Sequence, residues 1–190
     1  MCINFETSIA AFLIGEIAGF ILFLSNNIYK KYIGLFIMFF SLVQILEALI
    51  YKGYDYNGIF SKILLINLSL QGTFFFYLIN KIDPNQKIYL YICGIISIII
   101  ISRIFFTDFK NASINTCLKW NFMDYINKKL FYVMYLLIFL YSFTSNIYFI
   151  TISALILLIT YIISNIVQNE NSPSMWCLSS ALVSPLIIFL

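Results

Sequence analysis

Apolar residues run along this chain in long blocks broken by short polar stretches, and each block is about the length a helix needs to cross a bilayer. Seven such blocks are readable, at about 7–24, 32–51, 59–79, 88–106, 130–143, 147–166 and 174–190. A membrane helix needs roughly 17–25 mostly apolar residues. The two-residue alternation of a membrane β-barrel is absent, and lipid leaves the backbone no partner but itself, so helices are the arrangement that fits. The expectation is an all-α, polytopic transmembrane bundle forming a single domain over 1–190. The fifth block is short and approaches the sixth across Ser142 to Asn146, so six spans with a re-entrant hairpin is the competing count. The flank ahead of the first block carries Glu6 and no Lys or Arg, which argues against a cleaved signal and for a retained first helix.

Polar residues inside the blocks change the picture more than the blocks themselves. In the first, Ser8, Ala11, Gly15 and Gly19 recur at spacings of three and four, a stripe of small residues of the kind on which helices approach closely in lipid. Glu16 lies at the rim of that stripe, so a helix packed on the glycines would also cover the carboxyl group. In the second block Gly34, Ser41, Gln44, Glu47 and Ala48 share one side. In the third, Asn67 and Gln71 are four apart and share a face. Antiparallel stacking gives Glu16 three amide partners at comparable depth, Gln44, Asn67 and Gln71, and sets Lys62 near Glu47. Two readings follow. In one, Glu16 is a neutral hydrogen-bonding device within a packing network. In the other, Glu16 and Glu47 handle a proton or cation, the usual suspicion for ionisable groups inside a membrane.

Composition supports lipid as the solvent: 62% of the 190 residues are hydrophobic and 10% charged, against about 25% charged in an ordinary soluble domain. The net charge of +3 is scattered over loops, with no basic run to hold nucleic acid. With seven spans, Lys52, Lys62, Arg103, Lys110, Lys119, Lys128 and Lys129 fall on the amino-terminal side, and a lean toward a cytoplasmic amino terminus follows. Cys2, Cys117 and Cys177 fall on that same side. A disulfide between two of them, and the acceptor triplet at Asn111 to Ser113, pull toward a lumenal or extracellular face, which leaves orientation open. Trp176 would help close this entrance. The stretch around Trp120, Phe122 and Tyr125, interleaved with lysines, reads as an interfacial segment.

The chain contains no histidine, which excludes His-held zinc and His-ligated haem, and its four cysteines are isolated. No metal or cofactor is expected. Asp55, Asp83, Asp108 and Asp124 all lie in loops, so a paired intramembrane aspartate mechanism has no candidates.

Three stretches, "MCINFETSIA", "FFSLVQILEALIY" and "NENSPSMWCLSSALV", resemble an uncharacterised family of seven-span membrane proteins of bacteria and large DNA viruses. That resemblance implies a seven-span fold and attention to Cys2, Glu47, Ala48, Asn169, Trp176 and Cys177, and it implies no activity. Ile3 and Asn4 depart from the family's opening.

The function expected is that of a multi-pass integral membrane protein binding or moving a small solute, ion or lipid through its polar interior. A lipid-active membrane enzyme using Glu47 or Cys177, and a structural membrane component of a virus particle or organelle, are the alternatives. The partners expected are the lipid bilayer and, as an open option, a second copy of the chain.

Overall fold

The computed structural model describes residues 4–106, 113–114, 118–119 and 128–144, with the single positions 151, 152, 155, 158, 159, 162 and 185. Its main elements are the helices α1 (Phe5–Phe23), α2 (Ile28–Tyr51), α3 (Ile59–Asn80), α4 (Lys87–Phe106) and α5 (Lys128–Thr144). Two-residue strands, β1 (Ser113–Ile114) and β2 (Leu118–Lys119), pair antiparallel between α4 and α5. The expected all-helical architecture is present. Among the described residues four helices, α1 to α4, are long and apolar enough to cross a membrane, which makes this a membrane protein by length and composition. That is four rather than seven. α5 has 17 residues, about 25 Å of helix against a hydrocarbon core of about 30 Å, and the blocks at 147–166 and 174–190 lie largely outside the described residues.

Each boundary has a local cause. Asn4 caps α1 by accepting from the Thr7 amide at 2.8 Å, while the Thr7 hydroxyl accepts from the Asn4 amide at 3.1 Å. This reciprocal capping box satisfies two backbone donors that the helix start would otherwise leave unpaired. Asn27 caps α2 through its side-chain oxygen, which accepts from the Tyr29 and Lys30 amides at 2.9 and 3.3 Å. Before α3 the chain reverses through Asn57 and Gly58, both left-handed with φ of 52° and 71°. Asp55 fixes that turn by accepting from the Ser61 amide at 3.1 Å and from the Ser61 hydroxyl. Pro84 opens the short turn before α4, where its missing N–H costs nothing.

Consecutive helices pack as antiparallel neighbours, α1 on α2, α2 on α3 and α3 on α4, and α5 lies against α3 and α4. α2 and α3 therefore form the centre. Their outer faces expose few large apolar residues, whereas α4 exposes Ile88, Tyr91, Ile95, Ile98 and Phe105, and α1 exposes Leu13, Ile17, Phe20 and Ile21. Those spacings of three and four are apolar stripes suited to lipid.

The core is divided along the helix axes. Toward the α1–α2 and α3–α4 turns it is aromatic. Phe36 meets Phe75 edge-on with ring centres 5.2 Å apart, Phe76 stacks on Tyr89 at 5.2 Å, and Tyr141 of α5 closes the cluster. Gly72 makes room for Met134 of α5, and the Cys93 sulfur borders the same space. Toward the opposite end the buried residues turn polar.

Candidate functional site

The α1–α2 seam is built on absent side chains. Ser8, Ala11, Gly15, Ala18, Gly19 and Leu22 are the buried residues of α1, so the small-residue stripe does face α2. A Cβ on Gly19 would lie 2.5 Å from Met38 Cγ and 2.8 Å from the Gly34 carbonyl oxygen. A Cβ on Gly34 would lie 2.5 Å from the Gly19 carbonyl oxygen and 2.7 Å from the Phe23 nitrogen. The backbones touch here.

That crossing sets the depth of everything else along α1 and α2. Glu16 is half-buried at the rim, and its Oε1 lies 2.6 Å from the hydroxyl of Ser41, which is 1% exposed. The expected amide partners, Gln44, Asn67 and Gln71, are therefore corrected: the side chain that Glu16 meets is Ser41. Gln44 lies three positions beyond Ser41, about 4.5 Å along the axis and about 60° around it. Gln44 is thereby turned from the rim toward the inner side of α2.

Gln44 is completely buried, and neither its amide nitrogen nor its amide oxygen has a hydrogen-bond partner. Glu47, one turn further, is also 0% exposed. Residues i and i+3 share a helix face, so the two line one inner strip of α2. The register fixed by Gly19 against Gly34 brings Ser8 to the depth of this strip, and the Ser8 hydroxyl is likewise buried without a partner. A buried amide or hydroxyl without a hydrogen bond costs about 1–3 kcal/mol. Two such groups at one depth mark a place where the fold tolerates that cost.

Asn67 and Gln71 do share a face, and they are bonded to each other. Asn67 donates to the Phe39 carbonyl of α2 at 3.2 Å, Gln71 donates to the Asn67 side-chain oxygen at 3.2 Å, and the Tyr135 hydroxyl of α5 donates to the Gln71 oxygen. This relay ties three helices together at the depth of Gln44. A second knot joins α3 to α4, where the Ser97 hydroxyl lies 2.5 Å from the Ser69 carbonyl oxygen and 2.8 Å from Thr73 Oγ1. Lys62, named as a neighbour for Glu47, is half-buried in the first turn of α3, at a comparable depth. Cys2, Cys117, Asn169, Trp176 and Cys177 lie outside the described residues, so the shared face of the three cysteines and the tryptophan at the entrance have no structural counterpart here.

Comparison of the chain with protein-family models, with curated proteins and with solved structures finds no match.

Tyr135, Ser69, Thr73 and Ser97 were not legible as members of a polar core. Ser97 had a signal, being the one polar residue in a run of isoleucines in α4. Tyr135 had none among fourteen tyrosines. Among the described residues no group of three or more His, Cys, Asp or Glu gathers in a way that would hold a metal ion. The arrangement can offer hydrogen-bond donors and acceptors, and at Glu47 an ionisable oxygen, to a small polar guest.

Proposed function

We propose that this is a multi-pass integral membrane protein that binds or moves a small polar solute or ion through an interior lined by Ser8, Gln44 and Glu47. The reading keeps the expected count of seven spans. One observation carries it: the Gln44 amide is wholly buried in a membrane helix with both of its polar atoms unpartnered. A side chain that served packing alone would have been paired, as Asn67 and Gln71 are a short distance away. Polar residues facing a bundle interior mark solute and ion pathways. Glu47 adds an ionisable group on the same strip.

The test is flux in reconstituted liposomes, measured for protons, sodium and potassium under an imposed gradient. A flux through the wild-type protein that falls at least tenfold in both Gln44→Leu and Glu47→Gln supports the reading. A wild-type flux that survives both substitutions overturns it.

A further inference from the structure

We propose that the guest held at Gln44 is an uncharged molecule with a hydrogen-bond donor and an acceptor side by side, of the carboxamide and urea class. The inference rests on the reading of the inner strip as a place a polar guest reaches, and narrows it from solute or ion to one kind of solute. The needs of a single side chain carry it. Gln44 is 0% exposed, and its Nε2 and its Oε1 are both without a hydrogen-bond partner. A primary amide brings two N–H donors and one carbonyl acceptor in one plane. A guest that serves only one kind leaves the other buried and unpaired, at the full cost of its desolvation.

That requirement separates the classes of guest. A cation meets Oε1 and turns its charge against the hydrogens of Nε2, which carry the same sign. An anion meets those hydrogens and turns its charge against Oε1. A neutral carboxamide or urea does both at once, because its carbonyl oxygen and one N–H lie on a single planar edge. It accepts from Nε2 and donates to Oε1 in two parallel bonds. Turning the Gln44 amide over exchanges its two atoms and leaves the requirement unchanged.

The neighbouring elements leave this edge to the guest. On α1, Ala11 and Gly15 flank the depth of Gln44 in the register set by Glu16 against Ser41, and neither has a polar side chain to offer. On α3, the two amides that could have paired with Gln44 are engaged elsewhere. Asn67 donates to the Phe39 carbonyl and Gln71 to the Asn67 oxygen, both at 3.2 Å, and Tyr135 donates to Gln71. Toward the Glu47 end of the strip, the Ser8 hydroxyl is a second buried group without a partner. A hydroxyl also donates and accepts, so it makes the same demand on a guest and adds no net charge.

Three probes of one shape isolate the head group: acetamide, acetate and acetamidinium. Acetamide carries a donor and an acceptor, acetate acceptors alone and acetamidinium donors alone. Binding to the full chain in lipid nanodiscs is read by saturation transfer to the methyl protons in NMR, against empty nanodiscs. Acetamide should give a saturable signal, with acetate and acetamidinium weaker by about tenfold or more, since a site built to pair a polar group rejects the analogue that lacks it. This ranking is measured on the wild-type chain and needs no variant to fold. Gln44→Leu should abolish acetamide binding and unfold no earlier than wild type in a detergent titration, because it removes a buried amide that has no partner. Ser8→Ala should weaken acetamide by a smaller factor. Acetate or acetamidinium binding as tightly as acetamide overturns the class of guest, and acetamide binding equally to wild type and a folded Gln44→Leu overturns the site. Absence of acetamide binding, together with an ion flux that falls in Gln44→Leu, overturns this inference and leaves the interior pathway standing.

Discussion

The two seams on either side of α2 hold their helices by opposite means. Toward α1 the contact is backbone on backbone, made possible by Gly19 and Gly34, and side chains add one hydrogen bond at the rim. Toward α3 the helices stand off behind larger residues, Phe36 against Phe75 and Phe39 against Phe74, and a side-chain relay from Phe39 through Asn67 and Gln71 reaches Tyr135. In lipid there is little hydrophobic gain from either contact, so close packing and interhelical hydrogen bonds are what remains. The first seam fails when something is added. The second fails when something is taken away.

That contrast is greatest at Gly34. Gly34→Leu should have the largest effect of any single change, separating α1 from α2, because the atoms in its way are backbone and cannot yield. Gly19→Leu should follow closely, its nearest obstacle being the movable end of Met38. Overpacking typically costs about 1–3 kcal/mol and can exceed that where backbone must shift. Loss of the unfolding transition in a detergent titration would show it, and a Gly34→Leu protein as stable as wild type would erase the difference between the seams.

Gln71→Leu should cost less, about 1–2 kcal/mol, since it frees the Tyr135 hydroxyl and one Asn67 acceptor while keeping the volume. The same titration measures it, and the ranking requires that it fall below Gly34→Leu. Glycine outside the seams should behave in the opposite sense. A Cβ at Gly94 would meet nothing within 4 Å, so Gly94→Ala should be neutral or stabilising by up to about 1 kcal/mol. A clear destabilisation there would show that glycine matters to this bundle for some reason other than close approach.

The smallest effect belongs to the α3–α4 turn, outside both seams. The Gln86 side chain and then the Asn85 amide hold the Asp83 carboxyl below its usual value of 3.8. A carboxyl lowered in the folded state contributes stability that is present above the unfolded value and is lost as pH falls through the folded one. Unfolding of wild type and Asp83→Asn should therefore differ slightly at neutral pH and converge in strong acid. A difference that grows on acidification would count against the Gln86 and Asn85 bonds as the cause.

The glycine seam was legible because its signal is local: small residues three and four apart lie on one stripe whatever surrounds them. The Asn67–Gln71 pair was legible for the same reason, being four apart on α3. The partner of Glu16 was not. Depth alone pointed to an amide, but the point of closest approach between Gly19 and Gly34 fixes the register, and it presents Ser41 to Glu16 while turning Gln44 inward. Such a register depends on which two residues touch, a fact spread over two segments. The span count was readable as hydropathy for α1 to α4. It was weaker for α5, whose 17 residues fall short of a full crossing.

If the inner strip of α2 is a place a polar guest reaches, while the outer face of the same helix meets lipid, the two faces should differ in their access to water. Single cysteines at Gln44 and at Leu42, which is 37% exposed on the outer side, test this directly in a chain whose four native cysteines are replaced by serine. Each protein, reconstituted in liposomes, is treated with a small cationic thiosulfonate that does not enter hydrocarbon. Gln44→Cys should be modified and Leu42→Cys should not. A Gln44→Cys protein as silent as Leu42→Cys would make the strip a sealed packing surface, closed to any guest.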